Sequence, residues 1–474
     1  MTDAESTQQE VEAVPQRFNG RVQGRLGYVC VGVPWFDVES AEVAAAATME
    51  SLATDWEIVG SPRVLTRCDQ ADEAMRLIAG MNVDCLVLEV GTFPDGDVIA
   101  SIATKAHVPI VIHYVPDTFQ DGLVERNAMC GAALAAYCVR ALGGVVAWCV
   151  GDTKSNSHRT HLVRTVRGAA AIGWLRRTRL GAIGRYPSGF LPSSVDDVEL
   201  RRKLGVTIED VSMSTVTAVL ETRRSQADPP DHHRAGPLIA LGGGELDKSV
   251  SDGIELWYST LLQVIGASGS RVVALKDWPE LLEMGVPGLW PAIGWLQDAG
   301  LIVSPEGDLN GALTMGVASC WTTSPSFLAD LVDVDSEAGT LTLWHYGCAE
   351  SLARNRQEIR YAEDGEDVQF TLAPGRGTLL RLGRADGEYR LLVIPVEVVD
   401  EEVQLRRAAC KVKPIMGSAD DIRAFMFDGG WDHHACLVYG DVHHEASVFA
   451  RCLDIELCEP MQTRVESVPP PLPR

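Results

Sequence analysis

The chain has 474 residues, 46% hydrophobic and 22% charged, and its 41 Lys and Arg against 65 Asp and Glu give a net charge of −24. A surface that acidic repels phosphate backbones and anionic lipid, which argues against nucleic-acid binding and attachment to membranes. The length exceeds what one hydrophobic core supports, so several domains are expected, and the ordinary composition argues against extended disorder.

Residues 1–24 are polar and lack the basic and apolar regions of a signal peptide, so they read as a tail. The 12 cysteines form no CxxC pair and lie mostly in apolar runs, as expected for buried, reduced thiols of a cytoplasmic protein. Short, fully apolar runs at 26–33, 83–90, 109–114 and 145–150, with a helical pattern at 41–52, predict a parallel sheet covered on both faces. The most apolar stretch, 128–150, is broken by Arg140, Gly143 and Gly144 and reads as a helix and a strand, not a membrane span. The pattern restarts at 179–184, with further strands expected at 238–241 and 271–275 and a polar, Pro-rich surface loop over 223–236. After about residue 322, alternating runs at 341–344, 368–372, 378–382 and 389–399 are β-like. The fold class is therefore α/β: two doubly wound parallel-sheet domains (25–168 and 169–321), a β-rich C-terminal domain (322–466) and a Pro-rich tail (467–474).

Four segments carry candidate chemistry. In the first, Glu306, Asp308 and Asn310 alternate before Gly311. A calcium loop counted from Glu306 would need an acid where Val317 stands, so that reading fails, and a helix start capped by Asp308 or Asn310 is the plain alternative. In the second, Asp330 stands in an apolar stretch, where a carboxylate must be paired, capping or coordinating. In the third, His345 ends a strand ahead of a Gly turn. In the fourth, His433 and His434 precede an apolar strand, and extended geometry lets at most one of them face a given site. His443 and His444, beyond that strand, are expected on the solvent side.

These segments, in this order, resemble the L-fucose isomerase / L-arabinose isomerase family, in its fucose-isomerase-like branch. The branch's C-E-x-D-x-x-G-A-L-T-M is met by Glu306 to Met315, with Pro305 for Cys. Its F-x-x-D-L-V-D-x-D is met by Phe327 to Asp335, and its W-H-C-G-x-A-P by Trp344 to Glu350, with Tyr346 for Cys and Glu350 for Pro. The C-terminal H-H-x-x-L-V-Y-G-D begins at His433, residues 179–190 resemble the opening of the family's second domain, and the likeness runs from about residue 25 to 460.

The resemblance implies a metal-dependent aldose–ketose isomerase acting on a deoxyhexose, hexose or pentose through an enediol(ate). It implies that Glu306 and Asp330 act both as ligands and in proton transfer, that His434 is the third ligand, and that His345 is an additional ligand or supports one. Two carboxylates and an imidazole leave open positions on a hard cation, which suits Mn²⁺, or Mg²⁺, better than zinc. The family also implies a homo-oligomer, trimer or hexamer, in which the first domain of one subunit covers the site of another. Lys276 and Trp278, at a strand's carboxyl end, are candidate sugar contacts, as are Trp35 and, in the 116–127 loop, Gln120, Arg126 and Asn127. A sugar-binding or regulatory protein on the same scaffold is the alternative, and the retained acid–acid–imidazole set argues against it. A nucleotide-dependent dehydrogenase is disfavoured because Gly242, Gly243 and Gly244 lack the dinucleotide fingerprint spacing.

Overall fold

The first unit is a five-stranded parallel sheet in the order β2-β1-β3-β4-β7. Its elements are β1 (Arg25–Val31), α1 (Val38–Leu52), β2 (Glu57–Leu65), α2 (Cys68–Ala79), β3 (Cys85–Val90), α3 (Gly96–Ala103) and β4 (Ile110–Tyr114). A small hairpin, β5 (Phe119–Gln120) with β6 (Leu123–Val124), leads to α4 (Ala128–Ala141) and β7 (Val146–Val150). Every residue of β3 is buried, as a strand with helices on both faces requires. The computed structural model describes residues 24–117, 119–120, 123–225 and 247–460, apart from the side chain of Gln120. All but the last residue of the tail expected at 1–24, the tail expected at 467–474, the strand at 238–241, the glycines 242–244 and most of the 223–236 loop lie outside the described residues. The loop's first residues are helical instead, in the last turn of α7 (Met213–Ser225).

The helix α5 (Asn156–Arg177) runs without a break through residues 168 and 169, where two domains are expected to meet. It lies so close to the first sheet that a Cβ on Gly173 would stand 1.9 Å from the Asp84 carbonyl oxygen. The second unit follows: β8 (Arg179–Ile183), α6 (Asp197–Leu204), β9 (Thr207–Val211), α7, α8 (Lys248–Ser268), β10 (Val272–Leu275), α9 (Leu289–Asp298), β11 (Ile302–Ser304) and α10 (Leu309–Ser319). Its four parallel strands run β11-β10-β8-β9. The order reverses between β8 and β10, and α/β sheets bind ligands at the carboxyl ends of strands beside such a reversal.

The C-terminal unit comprises β12 (Phe327–Asp335), β13 (Thr340–His345), β14 (Arg360–Tyr361), β15 (Val368–Thr371), β16 (Gly375–Ala385), β17 (Glu388–Val398) and β18 (Ala408–Pro414). Then come α11 (Ala419–Asp428), β19 (His434–Tyr439), α12 (His443–Leu453) and β20 (Glu456–Cys458). The antiparallel pairings β18–β13–β12–β19–β16–β17 return to β18 and close a barrel. Leu341, Leu343, Leu379, Ile394, Cys410 and Leu437 belong to the core of this unit. A second core cluster joins all three units, through Leu26, Leu180, Leu313, Leu380 and Phe449. The fold class expected from the sequence is the one observed.

Helix α12 packs on α5, where Arg164 meets Glu445 through Nε–Oε1 (2.9 Å) and Nη2–Oε2 (2.7 Å). His444 lies in this seam, its Nε2 2.9 Å from Thr165 Oγ1, and His443 pairs with Glu459. The expectation that both face solvent is corrected for His444, which the packing of α12 on α5 turns into the seam, whereas the His443 side chain stays partly exposed beside Glu459. All 12 cysteines are free; most are buried as expected, but Cys68 and Cys130 are exposed. Among the described residues no helix is long and apolar enough to cross a membrane.

Candidate metal centre

The centre is built where β11 and its following turn meet one face of the barrel. Glu306 (φ +59°) and Gly307 (φ +61°) are both left-handed, a conformation that costs a residue with a side chain about 1–2 kcal/mol. The turn is held by its neighbours: the Glu306 amide donates to Asp277 Oδ1 (2.7 Å) and the Gly307 amide to the Leu275 carbonyl (2.8 Å). Gly307 is required here, because a Cβ would meet the Arg185 carbonyl oxygen at 1.9 Å. Asp308 then caps α10 by accepting from the Gly311 amide at 2.8 Å. The cap reading of this segment was right for Asp308, and Glu306 emerges one step before the helix with its carboxylate aimed at the barrel.

On the barrel, Asp330 of β12 lies opposite His434 of β19 on one side and Trp344 of β13 on the other. Residues directly opposite in antiparallel strands share a face. His434 Nε2 lies 3.3 Å from Glu306 Oε2 and 3.3 Å from Asp330 Oδ1. Its Nδ1 lies 2.8 Å from Asp308 Oδ2, which fixes the tautomer and turns the Nε2 lone pair toward the two carboxylates. Asp308 is anchored in turn by Arg381, at 2.6 Å and 3.2 Å, and Arg381 also bonds Asp432 at 2.9 Å. Arg381 and Asp308 are both fully buried.

Two sets of ligand atoms, each within 4.8 Å of one another, share His434: Glu306–His433–His434 and Asp330–His345–His434. The presence of His433 corrects the expectation that only one of the adjacent histidines faces the site. β19 begins at His434, so His433 lies before the strand and is not bound by its alternation. Both imidazoles meet the edge of Phe190, at 5.4 Å and 5.8 Å between ring centres. His345, fully buried at the end of β13, turns its Nδ1 to the Tyr346 carbonyl at 3.0 Å.

The electrostatics favour a positive charge at this point. Burial disfavours a charged His434, but Asp308, Asp330 and Glu306 outweigh it and hold the imidazole well above its ordinary pKa. Burial pushes the Glu306 carboxyl up, yet His434, His345 and Tyr346 bring it down to about 2. His434 Nε2 and Asp330 Oδ1 are buried atoms without a hydrogen-bond partner. An imidazole held by one carboxylate at Nδ1 and facing two more at Nε2, where a cation would take the place of the imidazole proton, is a donor set that fits a hard divalent cation.

Of the other sequence-derived candidates, Trp278 reaches the centre, donating Nε1–H to Glu306 Oε1 at 3.3 Å. Lys276 pairs with Glu280. Trp35, Arg126 and Asn127 stand at the carboxyl end of the first sheet, and among the described residues no hydrogen bond, ion pair or ring contact joins them to Glu306, Asp330 or His434. Gln120 lies in the β5–β6 hairpin just ahead of Arg126, its side chain outside the described residues. Four residues were missed as parts of the site. Tyr346 donates its hydroxyl to Glu306 Oε1 at 2.8 Å and stacks on Trp290 at 4.2 Å. Trp290 donates to Asp277 Oδ2 at 2.7 Å, and burial lifts the Asp277 carboxyl to about 6. Arg381 had no local signal, for it is one of three arginines on β16 and meets Asp308 only through the fold.

The departures from the family pattern therefore differ in kind. Tyr346 is bonded to Glu306 itself, whereas Glu350 accepts from Trp295 (2.9 Å) and Tyr361 (2.6 Å). Burial, against those two hydrogen bonds, lifts the Glu350 carboxyl to about 7 from an ordinary 4.5. Between those values the folded chain keeps a proton that the unfolded chain has released, so stability present at low pH is lost as pH rises toward 7. Glu350→Gln keeps an acceptor for both donors and removes that loss. Its thermal midpoint should gain on the parent between pH 5 and 7, by up to about 1.4 kcal/mol of stability per pH unit. A gap that stays constant across that range would contradict the buried-carboxyl assignment.

The chain matches no protein-family model. Over about nine-tenths of its length it is similar to several sugar isomerases, and that similarity supports a sugar isomerase as its class. The sulfoquinovose isomerase of Priestia megaterium is 24% identical over 443 residues, 90% of this chain and 97% of the relative. That of Clostridium sp. (strain MSTE9) is 26% identical over 451 residues, 91% and 98%, and that of Alkalicoccus urumqiensis 21% over 440 residues, 91% and 98%.

Proposed function

We propose that the chain is a divalent-metal-dependent aldose–ketose isomerase acting on sulfoquinovose, the glucose relative with a sulfonate at C6. The observation that carries the reaction class is the convergence of Glu306 and Asp330 on the unpaired Nε2 of His434; the substrate comes from the relatives' names. Glu306, Asp330 and His434 would hold Mn²⁺, or Mg²⁺, which would supply Lewis-acid polarisation at the carbonyl end of the sugar. Glu306 is the fixed carboxylate, since Tyr346 and Trp278 occupy Oε1 and turn Oε2 toward His434. Asp330 has no donor on Oδ1 and is partly exposed, which suits it to take the C2 proton of the aldose and return it to C1. Asp308 holds His434 in the tautomer that keeps Nε2 free, and His345 and His433 flank the carboxylates.

The chain also acts as a homo-oligomer in this reading. Trp35, Phe119, Leu123 and Met129, all at least two-thirds exposed near the first sheet's carboxyl end, are apolar surface that a neighbouring subunit would cover.

The test is to strip the protein with chelator and assay ketose formation from sulfoquinovose, neutral hexoses, deoxyhexoses and pentoses. Turnover should vanish and return with Mn²⁺, with sulfoquinovose preferred. Metal-dependent turnover of none of these sugars would sink the proposal.

A further inference from the structure

A sugar that presents C1 and C2 to Glu306, Asp330 and His434 extends its far end away from them, and on one side of the centre stands an arginine. Arg407 lies immediately before β18 in a left-handed conformation (φ +74°). Its guanidinium carbon is 4.6 Å from the ring centre of Trp290, 4.8 Å from Trp344 and 5.0 Å from Tyr346. Two of these rings border the centre directly: Tyr346 is bonded to Glu306, and Trp344 is the cross-strand neighbour of Asp330. The guanidinium is thus one aromatic side chain away from each carboxylate. Asp330 is in register with Ala409 through Trp344, two strand spacings away, and Arg407 stands two residues along from Ala409, roughly 12 Å from Asp330 along the backbone, a span that a six-carbon sugar and a long arginine side chain can bridge.

The hydrogen bonding of Arg407 leaves it able to bind more. Its Nε donates to Asp367 Oδ1 at 2.6 Å, and among the described residues nothing accepts from its two Nη groups. Asp367 is shared with Arg406, at 2.9 Å, and Arg406 lies 3.7 Å from the exposed Asp364. The Arg407 side chain is 21% exposed, so it opens to solvent while three rings limit its movement. A forked donor held by aromatic faces is suited to a tetrahedral oxyanion, and a neutral hydroxymethyl group has no need of it. In a chain of net charge −24, an anionic substrate also needs a local cation to be admitted.

We infer that Arg407 is the anion-recognition residue of this sugar site, binding the sulfonate at the end of the substrate remote from the reacting carbons. The inference rests on the proposed reading that a sulfonated aldose is isomerised here. Its test compares kcat/KM for sulfoquinovose with that for quinovose, which lacks the sulfonate, in the Mn²⁺-loaded wild type and in R407Q, R407K and R406Q. R407Q should lower the preference for sulfoquinovose about 10- to 100-fold, mainly through KM. R407K should retain part of it and R406Q should leave it unchanged. An R407Q enzyme whose preference stays within about twofold, or which loses both sugars equally, overturns the assignment. If the wild type turns over neither sugar, the isomerase reading fails, and Arg407 is then judged by calorimetric titration of the same Mn²⁺-loaded proteins with sulfoquinovose. A loss of affinity of about tenfold or more in R407Q supports it, and a smaller loss overturns it.

Discussion

Glu306→Gln should lower turnover by on the order of 10³-fold or more while leaving the fold in place. Glutamine keeps an acceptor for Tyr346 and Trp278, so the hydrogen bonds that anchor this side chain survive. The charge opposite His434 Nε2 is what disappears, and with it much of the attraction for a divalent cation. Metal content measured after dialysis should fall together with turnover, and the circular-dichroism spectrum should not change. A variant with wild-type activity would show that the carboxylate beside His434 has no part in the reaction.

Arg381→Leu should be the most damaging change to stability, about 3–5 kcal/mol by urea unfolding. Arg381 is fully buried between Asp308 and Asp432, and its removal strands a buried carboxylate that also caps α10 and orients His434. Metal affinity should weaken by about 10- to 100-fold as the imidazole loses its fixed partner. Adding Asp308→Asn removes the stranded charge and should recover part of the stability but not the metal affinity. If Arg381→Leu unfolds at the wild-type urea concentration, the ion pair does not hold the site together.

How far the sequence reveals this molecule depends on how local each signal is. Glu306 and Asp308 could be read because a strand end, a glycine turn and a helix cap are all written within a few residues. The parallel strands could be read for a similar reason, since a strand buried on both faces is a continuous apolar run. β12 was read only as an apolar stretch, because Asp330, Asp333 and Asp335 break its apolar pattern; its partner strands determine which of these face solvent and which faces the centre. The alternation rule misjudged His433 because it was applied one residue beyond the strand. Tyr346 looked like a departure from a motif, and only the tertiary fold brings its hydroxyl to Glu306. Arg381 and Arg407 depend on strand pairings between distant segments, which no window of sequence contains.

Helix α5 has a mechanical consequence. It is one unbroken rod of 22 residues, pressed against the first sheet at Gly173 and clamped to the C-terminal unit through Arg164 and Glu445. A hinge needs a few residues that absorb a change of backbone angle, and a continuous helix supplies none in its interior. Within the chain α5 therefore acts as a strut, fixing the first sheet at a set distance from the candidate centre. A change of shape that parted the first sheet from the C-terminal unit would have to break the Arg164–Glu445 pair, because the helix between them cannot bend without losing its own backbone hydrogen bonds.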